Sequence, residues 1–242
     1  RVIDYRLLQL KKMTNVSLFL ESRMDLEEIL DFGADYIFIA SGSSWRKDGV
    51  GSVRRSEISD FSNYAVLTPD DFPSKKILRD TVTIYDDEHN YMASTLAEQL
   101  AKDCKKINLI STLPSIATWT QYTLEQQRIK ERLLELGVNL FTNIVLESWN
   151  GLEINMSDSD TGKLTKPLKS EYLVSVSGRQ SNSCLKERLH NDLKTRNIFT
   201  SIGDAVTPGT IQMAVLSGHQ SARKYLEGEN AIFKREVPQI YI

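Results

Sequence analysis

The sequence predicts an α/β fold built on parallel strands, and three stretches carry that expectation. Residues 79–85, 91–101 and 106–110 read as strand, helix and strand, a βαβ unit of about the length a parallel crossover needs. Residues 36–40, Tyr-Ile-Phe-Ile-Ala, form an apolar run that stops at Ser41-Gly42. Residues 197–202 form a second such run. It stops at Gly203-Asp204 and leads into a helix that starts near Gly209 and runs towards Leu226.

Composition sets the frame. The 242 residues are 40% hydrophobic and 26% charged, enough for a packed core in one large domain or two smaller ones. A net charge of −2 gives no electrostatic case for nucleic acid. No apolar run approaches the roughly 20 residues of a membrane helix, and no signal-peptide pattern opens the chain. Cys104 and Cys184 lie far apart and outside any CxxC, which fits a reducing, cytoplasmic setting with both thiols structural or incidental. His89, His190 and His219 lack ligand-like spacing, so no metal site is expected.

Taken in order, residues 1–13 place Val2, Tyr5, Leu7, Leu8 and Leu10 at helical spacing. The chain enters this helix with no cap signal and no preceding strand, as a truncated first domain would. Residues 16–20 read as a strand. A short helix follows at 25–31, with Asp25 as cap, Glu28 at the capping-box position and Gly33 as terminator. Residues 43–72 read as polar and irregular, with Trp45 in a loop, and Leu67-Thr-Pro-Asp-Asp71 has the turn chemistry of a crossing between domains. After the βαβ unit come an amphipathic helix at 123–136 ended by Gly137, a strand at 138–141, hairpin material at 144–156 and a polar turn at 158–163. A strand at 171–178 precedes a polar connection with a short helix at 183–193, and the tail at 233–242 reads as extended.

The most informative stretch is Ser201-Ile202-Gly203-Asp204-Ala205, followed by Pro208-Gly209-Thr210-Ile211. It puts a carboxylate at a strand's carboxyl edge, just before a helix N-terminus. Ligands of open α/β sheets bind at that edge, and the unpaired N–H groups of a helix start favour an anion such as a pyrophosphate. Asp204 has the chemistry to accept hydrogen bonds from a ribose or ribityl hydroxyl. The alternative is a plain turn and helix cap.

A second expected feature is missing. A nicotinamide dinucleotide site uses G-x-G-x-x-G after the first strand, because glycine lets backbone N–H groups approach the pyrophosphate. Here that place reads Tyr85-Asp-Asp-Glu-His-Asn-Tyr-Met-Ala-Ser94, without glycine and with three carboxylates that would repel a dianion. This argues against conventional NAD(P)H binding. The acidic loop reads first as a complement to the helix dipole, and less readily as a weak site for a hard cation at Asp86, Asp87 and Glu88.

The turn at Gly203-Asp204-Ala205 resembles the second flavin motif of flavoproteins with two dinucleotide domains. The run ending at Ser41-Gly42 resembles the Ala-Thr-Gly strand end of that fold. More of the chain, in order, resembles the C-terminal region of the trimethylamine, dimethylamine and histamine dehydrogenase family. The matching stretches are 23–49, Leu67-Thr-Pro-Asp-Asp71, Trp119-Thr-Gln-Tyr-Thr-Leu-Glu125, Ser177-Gly-Arg179, 202–211 and Ser217-Gly-His-Gln-Ser-Ala-Arg223.

The resemblance implies two interleaved Rossmann-like domains, similar to the FAD and NAD(P) domains of glutathione-reductase-like enzymes. Residues 1–66 and 178–242 would be the FAD- or ADP-binding remnant, lacking its N-terminal βαβ unit. Residues 67–177 would be the inserted NAD(P)-domain-like unit. ADP or FAD would contact Gly42, Gly203, Asp204, Ala205, Gly209 and Thr210. FMN would belong to an N-terminal barrel outside this chain, similar to old yellow enzyme, where amine oxidation takes place, and a [4Fe-4S] cluster to a Cys-rich segment next to that barrel. No catalytic residue would lie here. An electron-transferring flavoprotein would be the outside partner, and a homodimer stays open. Two further readings stand beside this one: a nucleotide-free docking module, and an FAD- and NAD(P)H-dependent reductase of the dienoyl-CoA reductase type, which the glycine-free loop disfavours.

Overall fold

A computed structural model describes residues 2–72, 81–104, 106–191 and 198–228. In chain order the elements are α1 (Val2–Lys12), α2 (Leu26–Phe32), β1 (Ile37–Ile39), β2 (Ser43–Trp45), β3 (Thr81–Asp86), α3 (Met92–Leu100), β4 (Lys106–Ser111) and α4 (Gln126–Glu135). Then come β5 (Asn139–Phe141), β6 (Ile144–Trp149), β7 (Glu153–Asp158), β8 (Leu168–Lys169), β9 (Tyr172–Val176), β10 (Arg179–Ser181), α5 (Cys184–Asn191), β11 (Phe199–Ser201) and α6 (Ile211–Glu227). The chain divides into two compact units, Arg1–Ile39 with Ser183–Ser201, and Ala40–Asn182 with Ile202–Ile242.

In the first unit β1 and β11 pair in parallel, Ile37 opposite Phe199 and Ile39 opposite Ser201. The Tyr36 and Thr200 hydroxyls share a hydrogen bond of 2.5 Å beside this ladder. Helix α2 starts at the expected capping box. The Asp25 carboxylate accepts from the Glu28 amide, and the Glu28 carboxylate accepts from the Asp25 amide. Gly33 ends it at φ +68°, a left-handed conformation that costs a glycine nothing.

The second unit is organised by a four-stranded parallel sheet in the order β5-β4-β3-β9. Its strands β3, β4 and β9 are buried on both faces, which is why they read as continuous apolar runs. Val82, Ile84, Ile107, Leu109, Val174 and Val176 pack with Leu96 and Leu100 of α3 and Leu133 of α4. Tyr85, Ile110 and Leu173 pack on the other side with Leu146, Trp149, Ile154 and Met156 of an antiparallel β6-β7-β8 sheet. An antiparallel ribbon pairs Trp45 of β2 with Arg179 of β10, and Ser43 with Ser181.

Several expectations change. Residues 16–20 form no strand: no described residue pairs with them, and Leu18, Phe19 and Leu20 are exposed. A β-run without a partner leaves its backbone groups to water. Trp45 lies in β2 rather than a loop, and Arg179 with residues 180–181 of the polar connection forms β10. Helix α4 starts at Gln126 instead of Thr123, because Thr118–Thr123 close a 3₁₀ turn that ends at Leu124 with φ +60°. Strands β1 and β11, from runs apolar in sequence, are mostly half-exposed, with Ile39 their one buried residue. Residues 79–80, 192–193, 197 and the tail at 233–242 lie outside the described residues.

Candidate functional site

The turn into α6 is built around Asp204. A short 3₁₀ turn at Gly203–Ala205 opens it, with Gly203 at φ +59° and its amide donating to the Ser217 hydroxyl at 2.9 Å. Asp204 Oδ2 accepts from Arg179 Nη1 at 2.8 Å and from the Ser43 hydroxyl at 3.0 Å. Its Oδ1 accepts from the Gly209 amide at 3.1 Å. Arg179 Nη2 donates to the Gly209 carbonyl at 2.6 Å, and its guanidinium lies 5.4 Å from the centre of the Trp45 ring. One carboxylate and one guanidinium thus close the 204–209 loop from both ends. Thr210 caps α6, its hydroxyl accepting from the Met213 amide.

Gly42 lies one residue before Ser43. Asn182 holds this segment by donating its amide to the Gly42 carbonyl and its side-chain nitrogen to the Ser41 carbonyl, both at 3.0 Å. Gly42 adopts φ +73°, and a Cβ built there would meet nothing within 4 Å. The backbone is therefore open to approach on that side. The structure brings Gly42, Gly203, Asp204 and Gly209 into one hydrogen-bonded neighbourhood with Thr210 at its helix end, while Ala205 is buried beneath it. Sequence reading missed the role of Arg179, which binds the carboxylate across the turn. Its one sequence signal is the Ser177-Gly-Arg179 stretch.

These residues fit a nucleotide. A carboxylate has about four lone-pair positions, and Asp204 spends three on the bonds above. Its side chain is 20% exposed, so one position remains for a hydroxyl. The Ile211 and Gln212 amides, in the first turn of α6, precede the first amide with an intrahelical acceptor, that of Ala214, and an anion is favoured there.

The turn from β3 to α3 is different. Asp86, Asp87 and His89 are fully buried. Their carboxylates therefore do not line the place of a pyrophosphate, as the sequence alone implied, but turn into the protein. Asp86 Oδ1 accepts from the amides of Glu88 at 3.2 Å and His89 at 2.8 Å. Asp87 accepts from the Val53 and Arg54 amides, the Ser52 and Thr112 hydroxyls, and His89 Nε2 at 3.2 Å. Burial pushes the Asp86 carboxyl up to about 6, against the pull of His89. Burial also works to raise Asp87, but its bonds from His89, Arg54 and Val53 outweigh that and hold it below the ordinary carboxylate value. Among the described residues no cluster of His, Cys, Asp and Glu can hold a metal ion, so the weak cation reading of Asp86, Asp87 and Glu88 is not supported. Nor is any described helix long and apolar enough to cross a membrane.

With this geometry in hand, known proteins give it a context. Residues 67–159 match the family described as the OYE-like second alpha/beta domain. Dimethylamine dehydrogenase of Hyphomicrobium sp. (strain x) is 26% identical over 257 residues, taking in 91% of this chain and 34% of that protein. The structure of 6-hydroxypseudooxynicotine amine oxidase from Pseudomonas geniculata N1 matches with a TM-score of 0.87 at 28% identity, over 93% of this chain and 34% of that one. Histamine dehydrogenase from Rhizobium sp. 4-9 matches with a TM-score of 0.84 at 32% identity, over 98% of this chain and 37% of that one. The chain spans about a third of the length of these relatives. Over nearly its whole length, then, this α/β chain with parallel sheets is homologous to dimethylamine dehydrogenase and histamine dehydrogenase.

Proposed function

We propose that the chain is the nucleotide-holding, non-redox part of a longer oxidoreductase that oxidises an amine. Residues 1–66 and 178–242 form its FAD- or ADP-binding-type region, and residues 67–177 the inserted NAD(P)-domain-like unit, both of the Rossmann-like kind. FMN in a barrel and a [4Fe-4S] cluster beside it, both outside this chain, supply the redox chemistry. An electron-transferring flavoprotein takes the electrons away. The observation that carries this reading is the turn at Asp204, where a partly exposed carboxylate, an open-sided glycine at Gly42 and a helix N-terminus meet.

In this reading Asp204 accepts a hydroxyl of the nucleotide's sugar or ribityl arm. The first-turn amides of α6 face its phosphates. Gly42 and Gly209 allow close approach of the backbone, and Arg179 fixes the Asp204 carboxylate so that its remaining lone pair points outward. None of these groups transfers a proton or an electron.

The test is to denature the native full-length protein and identify what it releases by absorbance and mass. FMN with ADP or FAD, and with iron and sulfide, is the expected result. FMN with no adenine nucleotide would reject a nucleotide at Asp204. That outcome would favour the second reading, a nucleotide-free docking module. The observation on its side is that Asp204 is already paired with Arg179, Ser43 and Gly209.

A further inference from the structure

In the sheet β5-β4-β3-β9 the chain runs from β3 to β4 on one side, while β9 flanks β3 on the other. The strand order therefore switches between β3 and β9. In parallel sheets the crevice outside the carboxyl ends of such a pair is where a dinucleotide lies. Here β3 ends at Asp86 and β9 at Val176, and the crevice beyond them is filled by residues 50–54 of the same chain.

The filling is specific. The Asp87 amide donates to the Val176 carbonyl at 2.8 Å, and the Gly178 amide to the Val50 carbonyl at 2.8 Å. The Ser52 amide donates to the Asp87 carbonyl at 3.1 Å. The Asp87 carboxylate then gathers the Val53 amide at 3.0 Å, the Arg54 amide at 2.9 Å and the Ser52 hydroxyl at 3.1 Å. Arg54 anchors the far end, its guanidinium reaching the Leu146 carbonyl at 3.1 Å and Glu147 at 2.9 Å.

Two glycines mark how close the approach is. A Cβ on Gly51 would lie 2.3 Å from Asp87 Oδ2, and one on Gly178 would lie 2.7 Å from the Val50 carbonyl oxygen. Neither is in the left-handed region, so contact rather than backbone conformation requires glycine there. The turn's own amides are taken as well: Asp86 holds those of Glu88 and His89, and Glu88 that of Asn90 at 3.1 Å. Those are the donors a pyrophosphate would need.

We infer that residues 50–54 are a built-in plug of this crevice, clamped by Asp87, and that the plug excludes a nicotinamide dinucleotide from the β3–α3 turn. A missing glycine motif alone leaves a poor site; a filled crevice leaves none. The inference is independent of what Asp204 binds.

The test is hydrogen exchange by mass spectrometry on the native full-length protein, with and without NADH or NADPH at about 1 mM. Wild type should protect the peptide over 50–56, and neither nucleotide should change exchange there or at 86–92. Asp87→Ala and Gly51→Ala should each speed exchange at 50–56 by about 100-fold while the β4 peptide stays protected. Gly51→Ala removes no polar group, so it carries the test if Asp87→Ala fails to fold. Fast exchange at 50–56 in wild type, added protection there or at 86–92 by either nucleotide, or no effect of Gly51→Ala would each overturn the inference.

Discussion

Two turns in this molecule share one sequence pattern, an acidic residue between a parallel strand and a helix, and they serve opposite ends. At Asp204 the carboxylate is partly exposed, glycines flank it at 203 and 209, and one lone pair stays open. At Asp86-Asp87 the carboxylates are fully buried: the chain's own amides and hydroxyls take both oxygens of Asp87 and Oδ1 of Asp86, while Asp86 Oδ2 has no hydrogen-bond partner among the described residues. The difference comes from what the rest of the chain delivers. Asp204 meets an arginine that closes only its own loop. Asp87 meets a whole backbone segment. An acidic turn before a helix is therefore a ligand site or a structural clamp according to long-range partners.

The largest effect that would sharpen this comparison is Asp87→Ala. It strands the part-buried Val53 and Arg54 amides and the buried His89, and should cost about 3 kcal/mol in denaturant unfolding, against about 1 kcal/mol for Asp204→Ala. Equal costs would break the contrast. Next is Gly178→Ala, whose Cβ meets a backbone oxygen that cannot move aside. About 2 kcal/mol is expected there, while Gly209→Ala, with its nearest contact at 3.4 Å, should change stability by less than about 0.5 kcal/mol.

The pH dependence separates the two neighbouring aspartates. Burial raises Asp86 to about 6, so the folded state holds that proton more tightly than the unfolded chain does. Stability from this group is full below the ordinary carboxylate range and falls as pH rises through about 6. Asp86→Asn should therefore be the more stable form by about 1–2 kcal/mol near pH 7.5, with the gain vanishing towards pH 4. Asp87 is shifted downward, so its contribution is present above the ordinary range and is lost as pH falls. Unfolding curves across that pH range check both signs. An Asp86→Asn variant that is less stable at every pH would contradict the assignment.

Much of the fold was legible because its signals are local. The capping box at Asp25 and Glu28, the βαβ unit and the hairpin strands follow from spacing within a few residues. What stayed hidden is long-range. The ribbon of Ser43–Trp45 with Arg179–Ser181 has no apolar alternation, and its partners lie far apart in sequence. The apolar run at 16–20 has strand composition but, among the described residues, no strand beside it. At the Asp204 turn the residues were legible, but the arginine that orients the carboxylate was not. At Asp86-Asp87 charge suggested exposure, because the groups that allow Asp87 to be buried, the Val53 and Arg54 amides and the Ser52 hydroxyl, come from far along the chain. Gly51 and Gly178 were the available hint, since each is a glycine without a turn to explain it.

The most direct measurement of the account is adenine nucleotide retained per chain in purified full-length wild type, Asp204→Ala and Gly51→Ala. Near-stoichiometric nucleotide is expected in wild type and Gly51→Ala, and loss of most of it in Asp204→Ala. Equal content in all three, or none in wild type, would contradict a nucleotide held at Asp204.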